Sequence, residues 1–279
     1  AASIRTILTN AAAMRPEQTW LVTPETDRYF SWRQAQSRAE SIACYLHGAG
    51  LSDGASVAIA APNGAAASFA FLGVVYGGFR ATPLNLVAGV KTLAFVLSHS
   101  KTELILCADD SRSLVDEALA TLVSAGETPP RVIAMDVDDG PRWSETDITP
   151  AQPDSLRVPT KDSIGLLMYT SGTTGVPKGV LLSHSNLIAA GTNVAVAHDL
   201  SDKDIGLCVL PIYHINGLCV TVMGTLVSAG GLVMPRRFSA RHFWAQMHQF
   251  SCSWFSAVPT LFAYLLNDET MPKLDRERL

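Results

Sequence analysis

Residues Tyr169 to Gly179 read YTSGTTGVPKG. Hydroxyl side chains stand at Thr170, Ser171, Thr173 and Thr174, glycines at Gly172 and Gly175, and one cation at Lys178. Small residues leave backbone N–H groups accessible, hydroxyls donate, and the ammonium neutralises charge. Together these are the parts of a loop that surrounds a polyphosphate. The apolar runs on either side, Ile164 to Met168 and Val180 to Leu182, read as strands that hold the loop between rigid elements. The order is not that of a Walker loop, in which Gly-Lys-Ser/Thr opens directly into a helix. Here Lys178 is followed by Gly179 and an apolar strand, and the next helix is expected near Ser183 or Ser185. On composition alone, the stretch also fits a mobile Gly/Ser/Thr surface loop.

A second cluster, Pro211-Ile212-Tyr213-His214-Ile215-Asn216-Gly217, follows the apolar run Gly206 to Leu210. Polar residues at the carboxyl end of a buried strand occupy the place where open α/β sheets bind ligands. An imidazole there can orient a carboxylate. Taken alone, His214 reads more readily as a hydrogen-bonded structural histidine.

Around these clusters, strand and helix patterns alternate. Ser31 and Gln34 form a capping box for a helix with Ala35, Ala39, Ile42 and Leu46 on one face. A strand at Ala55 to Ala61, a turn at Pro62-Asn63-Gly64 and a helix at Ala65 to Tyr76 follow. A helix over Lys91 to Ser98, a strand over Glu103 to Cys107, a helix over Ser111 to Ser124 and a strand over Arg131 to Met135 complete the first part. Beyond the hairpin, helices are expected at about 185–198, 215–228, 240–250 (with Ser239 as cap) and 260–267. Strands are expected at 206–210, 231–234 and 253–257. The pattern predicts an α/β fold of two subdomains, each a mostly parallel sheet flanked by helices. Residues 1–140 would form the first, 163–279 the second, and the acidic, proline-bearing segment 141–162 a surface linker.

Composition narrows the function classes. The 279 residues carry a net charge of -4 with no basic block, which gives nucleic acid no electrostatic handle. Cys44, Cys107, Cys208, Cys219 and Cys252 lie far apart in apolar stretches. They read as buried free thiols in a reducing, cytoplasmic setting. No metal site is expected, because the histidines lack ligand spacing. Residues 55–79 and 217–234 are uncharged, but each is interrupted by proline or glycine, and neither is expected to span a membrane. The amino terminus shows no leader pattern.

The string Ser171-Gly172-Thr173-Thr174-Gly175 followed by Pro177-Lys178-Gly179 resembles the signature of the adenylate-forming (AMP-binding) superfamily, and most of all its acid–CoA ligases. Ala81-Thr82-Pro83-Leu84-Asn85, the Pro-x-x-His-x-x-Gly segment at 211–217 and Ala257-Val258-Pro259-Thr260 resemble further motifs of that family in the same order, so the likeness spans nearly the whole chain. It implies that ATP activates a carboxylic acid as an acyl-adenylate, with coenzyme A as the accepting thiol and Mg²⁺ accompanying the nucleotide. By the same likeness, Thr170 to Gly175 and Lys178 bind the phosphates. His214 acts beside the acyl carboxylate, with Asn216 and Gly217 lining the acid's pocket, and 81–85 has a structural role. Ile215, Leu218, Val220, Val222 and Met223 suggest an apolar acid. The family pattern continues past Leu279, which implies a missing C-terminal half and an inactive isolated chain. An amino-acid or aryl-acid adenylation domain feeding a carrier protein, and a non-catalytic scaffold, are the alternatives. For an amino-acid substrate, an aspartate would be expected between His214 and Ser228, and none is present.

Overall fold

The structure is a computed structural model that describes residues 2–170 and 176–268. The chain opens with α1 (Ile4–Met14), β1 (Thr19–Thr23), β2 (Arg28–Ser31) and α2 (Trp32–Gly48). Next come β3 (Ser56–Ala60), α3 (Ala65–Tyr76), β4 (Arg80–Pro83), α4 (Val90–His99), β5 (Thr102–Ala108), α5 (Arg112–Ser124), β6 (Arg131–Asp136) and β7 (Gly140–Pro141). The hairpin β8 (Ile164–Thr170) and β9 (Lys178–Ser183) leads into α6 (His184–Ala197) and β10 (Ile205–Leu207). Finally, α7 (Met223–Ser228), β11 (Gly231–Val233), α8 (Ala240–Gln249), β12 (Trp254–Phe255) and α9 (Pro259–Leu266) close the described chain.

Two sheets result. The seven-stranded sheet runs β7-β6-β5-β3-β4-β8-β9 and the five-stranded sheet β12-β10-β11-β1-β2. Their central pairs are parallel; β7, β9 and β2 are antiparallel additions at the edges. Alternation along the strands fixes the layers. Val57 and Ile59 of β3, with Trp20 and Leu21 of β1, point into one large core shared with α1, α2, α3 and α7. Ala58 and Ala60 face the opposite way, onto Leu93 and Leu97 of α4 and Val115 and Ala118 of α5. Val22, Leu207 and Val233 face α8 and α9 through Phe243, Phe250, Leu261 and Leu265. Helices thus fill the space between the sheets and also cover both outer faces, which is why β3 is buried along its whole length. Trp20 meets Trp32 at 5.5 Å and Phe69 at 6.0 Å. These aromatic contacts tie the five-stranded sheet to α2 and α3.

Local expectations map well onto these elements. The Ser31–Gln34 capping box is reciprocal: the Gln34 N–H donates to Ser31 Oγ at 3.3 Å and the Ser31 N–H donates to Gln34 Oε1 at 2.8 Å. Two donors that the helix itself cannot satisfy are thereby paired. Ser183 caps α6 through the same device with Asn186. Ser239 stands at the cap position of α8, but only its backbone carbonyl engages the helix, accepting from the His242 and Phe243 N–H groups.

Three expectations are changed by the structure. The helix expected over 215–228 begins as seven residues of π-helix, Asn216–Val222, before α7 takes over. Such wide turns are rare and concentrate at functional sites. The segment 141–162 is not a solvated linker. Trp143 stacks on Tyr45 at 4.7 Å, the Ala151 N–H donates to the Cys44 carbonyl, and Trp143, Ile148 and Leu156 are buried. The division into 1–140 and 163–279 is not followed by the sheets. β8 and β9 extend the sheet built by the first part, while β1 and β2 extend the sheet of the second. Parallel pairing leaves strand edges open to late-arriving partners, and both sheets use them.

His184 is fully buried at the start of α6. Its Nδ1 accepts from the Ile4 N–H at 3.1 Å, joining α6 to α1. Burial pushes its pKa down to about 4. The unfolded chain binds that proton near the ordinary value of 6.5 and the folded chain does not, so stability rises with pH across this window and falls as pH drops through it. Between pH 7 and pH 5 the loss from this residue should be about 2 kcal/mol. Urea unfolding of the protein and of a His184→Gln variant at both pH values checks this; an equal pH dependence in both would contradict it.

Candidate active site

The carboxyl ends of parallel strands from both sheets converge on one edge. β4 ends at Pro83, β8 at Thr170, and β10 leads into Cys208 to Gly217. The two sheets meet there directly through Asn63, which follows β3. Its Nδ2 donates to the Leu210 carbonyl at 2.9 Å, and the Ile212 N–H donates to its Oδ1 at 3.0 Å.

The hairpin supplies the shoulders of the glycine-rich loop. Thr170 and Lys178 form the last register pair of β8 and β9, and both are exposed. Lys178 has no ion-pair partner among the described residues, so its ammonium is free to meet an anion. Ser171, Gly172, Thr173, Thr174 and Gly175 lie outside the described residues. Tyr169 anchors the hairpin to α4: its hydroxyl and His99 Nδ1 are 2.8 Å apart, with the rings edge to face. Burial raises the Tyr169 phenol above its ordinary value, so it remains a neutral donor or acceptor.

A cavity of about 230 Å³ opens beside these shoulders. Thr170 and Pro177 of the hairpin, Asn85 and Ala88 after β4, Thr92 of α4, and Tyr213 line it. It therefore brings together the hairpin and the segment after β10. Pro83, Leu84 and Asn85, from the segment 81–85 expected to be structural, contribute to its wall. Tyr213 joins the site without having been singled out from the sequence; an aromatic beside a candidate site histidine is the signal that points to it.

His214 is exposed, packed against the Tyr213 ring at 4.6 Å, and its N–H donates to the Pro211 carbonyl at 3.0 Å. Surrounding protein lowers its pKa through desolvation, favouring the neutral imidazole at pH 7. Asn216 Oδ1 accepts from Ser256 Oγ at 2.5 Å, which ties this segment to the turn after β12. Gly217 is buried against the carbonyls of Leu210 and Pro211. Leu218, Cys219, Val222 and Met223 all sink into the shared core.

Thiol chemistry finds little support. Burial pushes the thiols of Cys208, Cys219 and Cys252 up to about 12 and Cys107 to about 11, which leaves them protonated and poorly nucleophilic. Among the described residues, no three His, Cys, Asp or Glu side chains group in a way that could hold a metal ion. No helix among the described residues is long and apolar enough to cross a membrane.

Comparison with known proteins gives a consistent picture. A family model described as AMP-binding enzyme matches residues 8–279. The sulfoacetate–CoA ligase of Cupriavidus necator is 40% identical over 258 residues, covering 92% of this chain and 50% of that protein. The oxalate–CoA ligase of Arabidopsis thaliana is 31% identical over 230 residues, covering 78% of this chain and 43% of that one. Among solved structures, the inhibitor-bound N-terminal domain of FACL13 from Mycobacterium tuberculosis superposes with a TM-score of 0.84 at 26% identity, covering 99% of this chain and 67% of that one. The chain spans about half the length of the curated relatives it matches.

Proposed function

The chain belongs to the AMP-binding enzyme family, and from that premise we propose that the protein carrying it activates a carboxylic acid with ATP and passes the acyl group to coenzyme A. The observation that carries this reading is the exposed Lys178, without an ion-pair partner among the described residues, at the mouth of a hairpin whose Thr170 and Pro177 share a cavity wall with Tyr213. A free carboxylate resists attack by a thiol and its oxide is a poor leaving group, so it is first activated: its oxygen attacks the α-phosphorus of ATP, and charge grows on the departing pyrophosphate. Thr170 and Lys178, with Ser171 to Gly175, would supply donors and a cation where that charge grows. Mg²⁺ would enter with the nucleotide, held by phosphate oxygens. His214 and Tyr213 would orient the acid, with Asn216 and Gly217 shaping the wall behind them. The substrate provides the attacking oxygen, so no side-chain nucleophile is required, in keeping with the protonated thiols.

The acid is proposed to be small and to carry a second anionic group, as the names of the sulfoacetate and oxalate ligases suggest for those relatives. The apolar side chains that pointed to an apolar acid are largely core residues, which removes most of the support for that reading. A cation is needed for the second charge. β11 lies beside β10 in the sheet, and its carboxyl end runs into Arg236 and Arg237. Arg236 is engaged by Asp138 at 3.2 Å. Arg237 is exposed and makes no ion pair among the described residues. Arg237→Ala should raise the KM for a dianionic acid about tenfold or more, the worth of one charge-assisted hydrogen bond, and leave the KM for ATP unchanged.

The deciding experiment is acid-dependent ATP–pyrophosphate exchange by the full-length polypeptide, with oxalate, sulfoacetate, acetate and a medium-chain fatty acid as candidates. Exchange with none of them would sink the reading and favour the non-catalytic alternative. The isolated chain of 279 residues is expected to show no turnover.

A further inference from the structure

Asn63 lies in the turn between β3 and α3, on the seven-stranded sheet, yet both ends of its carboxamide are spent on the five-stranded one. The residue is 7% exposed. Its N–H donates to the Leu210 carbonyl and its oxygen accepts from the Ile212 N–H, at 2.9 and 3.0 Å. The residue bridged between these bonds is Pro211, which has no N–H to offer. The carboxamide therefore behaves like a short stretch of partner strand, completing the pairing of a segment that has run past the end of β10. Tyr213 and His214 follow immediately, and the His214 N–H closes a turn onto the Pro211 carbonyl.

We infer that Asn63 is a positioning residue for acid binding: it locks the Leu210–Ile212 turn and so sets where Tyr213 and His214 stand relative to the hairpin of the other sheet. This rests on the reading of Tyr213 and His214 as the acid-facing residues. Asparagine is chemically specific here, because one donor and one acceptor are used at fixed ends. Aspartate would keep the acceptor for Ile212 but set a carboxylate oxygen against the Leu210 carbonyl. Alanine would leave both backbone groups without these partners among buried residues.

The test uses the full-length polypeptide with Asn63→Ala and Asn63→Asp. Amide hydrogen exchange over 210–217 should quicken at least tenfold in both, with the hairpin strands unaffected. The kcat/KM for the acid in ATP–pyrophosphate exchange should fall about 10- to 100-fold, since displacement of orienting groups by about 1 Å has that scale of effect. The KM for ATP should stay within about twofold, because the hairpin belongs to the other sheet; a general loss of structure would move both. Unchanged amide exchange, unchanged acid kinetics, or parallel loss for acid and ATP would each overturn the inference. Should Asn63→Ala fail to fold, the near-isosteric Asn63→Asp decides by the same readings. If the unmodified polypeptide shows no acid-dependent exchange, the functional reading fails on its own, and amide exchange alone judges whether the clamp exists.

Discussion

Lys178→Ala in the full-length polypeptide is expected to lower acid-dependent ATP–pyrophosphate exchange by about 10²–10³-fold, the typical cost of removing one preorganised donor from a developing charge. The same change should hardly touch stability. Lys178 is exposed at the first position of β9 and has no acidic partner among the described residues, and such surface replacements usually stay within about 0.5 kcal/mol. The two effects are therefore separable. The exchange assay reports the first, and thermal unfolding the second. Arginine at the same position keeps the charge but spreads it over a planar fork, so Lys178→Arg should recover only part of the rate. Adding Thr174→Ala to Lys178→Ala should deepen the loss. Exchange that survives the double change intact would remove the hairpin from the mechanism.

Gly217→Ala is expected to be as costly for a different reason. A methyl group placed there would sit 2.3 Å from the Pro211 carbonyl oxygen and 2.6 Å from that of Leu210. Both are backbone atoms in a turn already pinned by Asn63, so neither can swing aside as a flexible side chain would. The strain should reach about 3 kcal/mol, at the upper end of overpacking penalties. It would appear as a lowered urea midpoint or as displacement of the turn. Gly217 does not have a positive φ, so the need is for space and not for unusual backbone angles. A variant with the midpoint and acid kinetics of the parent would contradict the close approach.

Much of the local structure was readable because it depends on near neighbours. The Ser31–Gln34 box, the small-residue strand β3, the helix α3 and the hairpin flanks all follow from patterns of a few residues. The π-helical start before α7 was not readable, since 216–222 has the apolar content of any buried helix and the wide turn arises where Gly217 meets the carbonyls of the preceding turn. The arrangement of strands was also hidden. Nothing in β1 announces that Leu21 will pair with Leu232. The site was legible as types of residue and not as a set of neighbours. His214 and Lys178 stand out in the sequence, but Asn63 looked like a turn residue, and its two bonds are to residues far along the chain. Residues 81–85 were read as scaffold because wall-forming side chains such as Leu84 and Asn85 carry no chemical signature. Of the apolar residues after His214, Leu218, Val222 and Met223 belong to the core, and core and pocket lining look alike in a sequence until burial distinguishes them.

The interleaving of the two sheets has a consequence for how the polypeptide matures on the ribosome. β1 and β2 are made long before their neighbour β11, and cannot find it until most of the described chain has followed; the seven-stranded sheet likewise waits for β8. Until then, the Trp20–Leu21 edge is an unsatisfied, apolar strand exposed to other nascent chains. Long-range parallel pairing of this kind forms slowly and leaves aggregation-prone edges, so acquisition of the native state should depend strongly on chaperone supply and on translation speed through the first half.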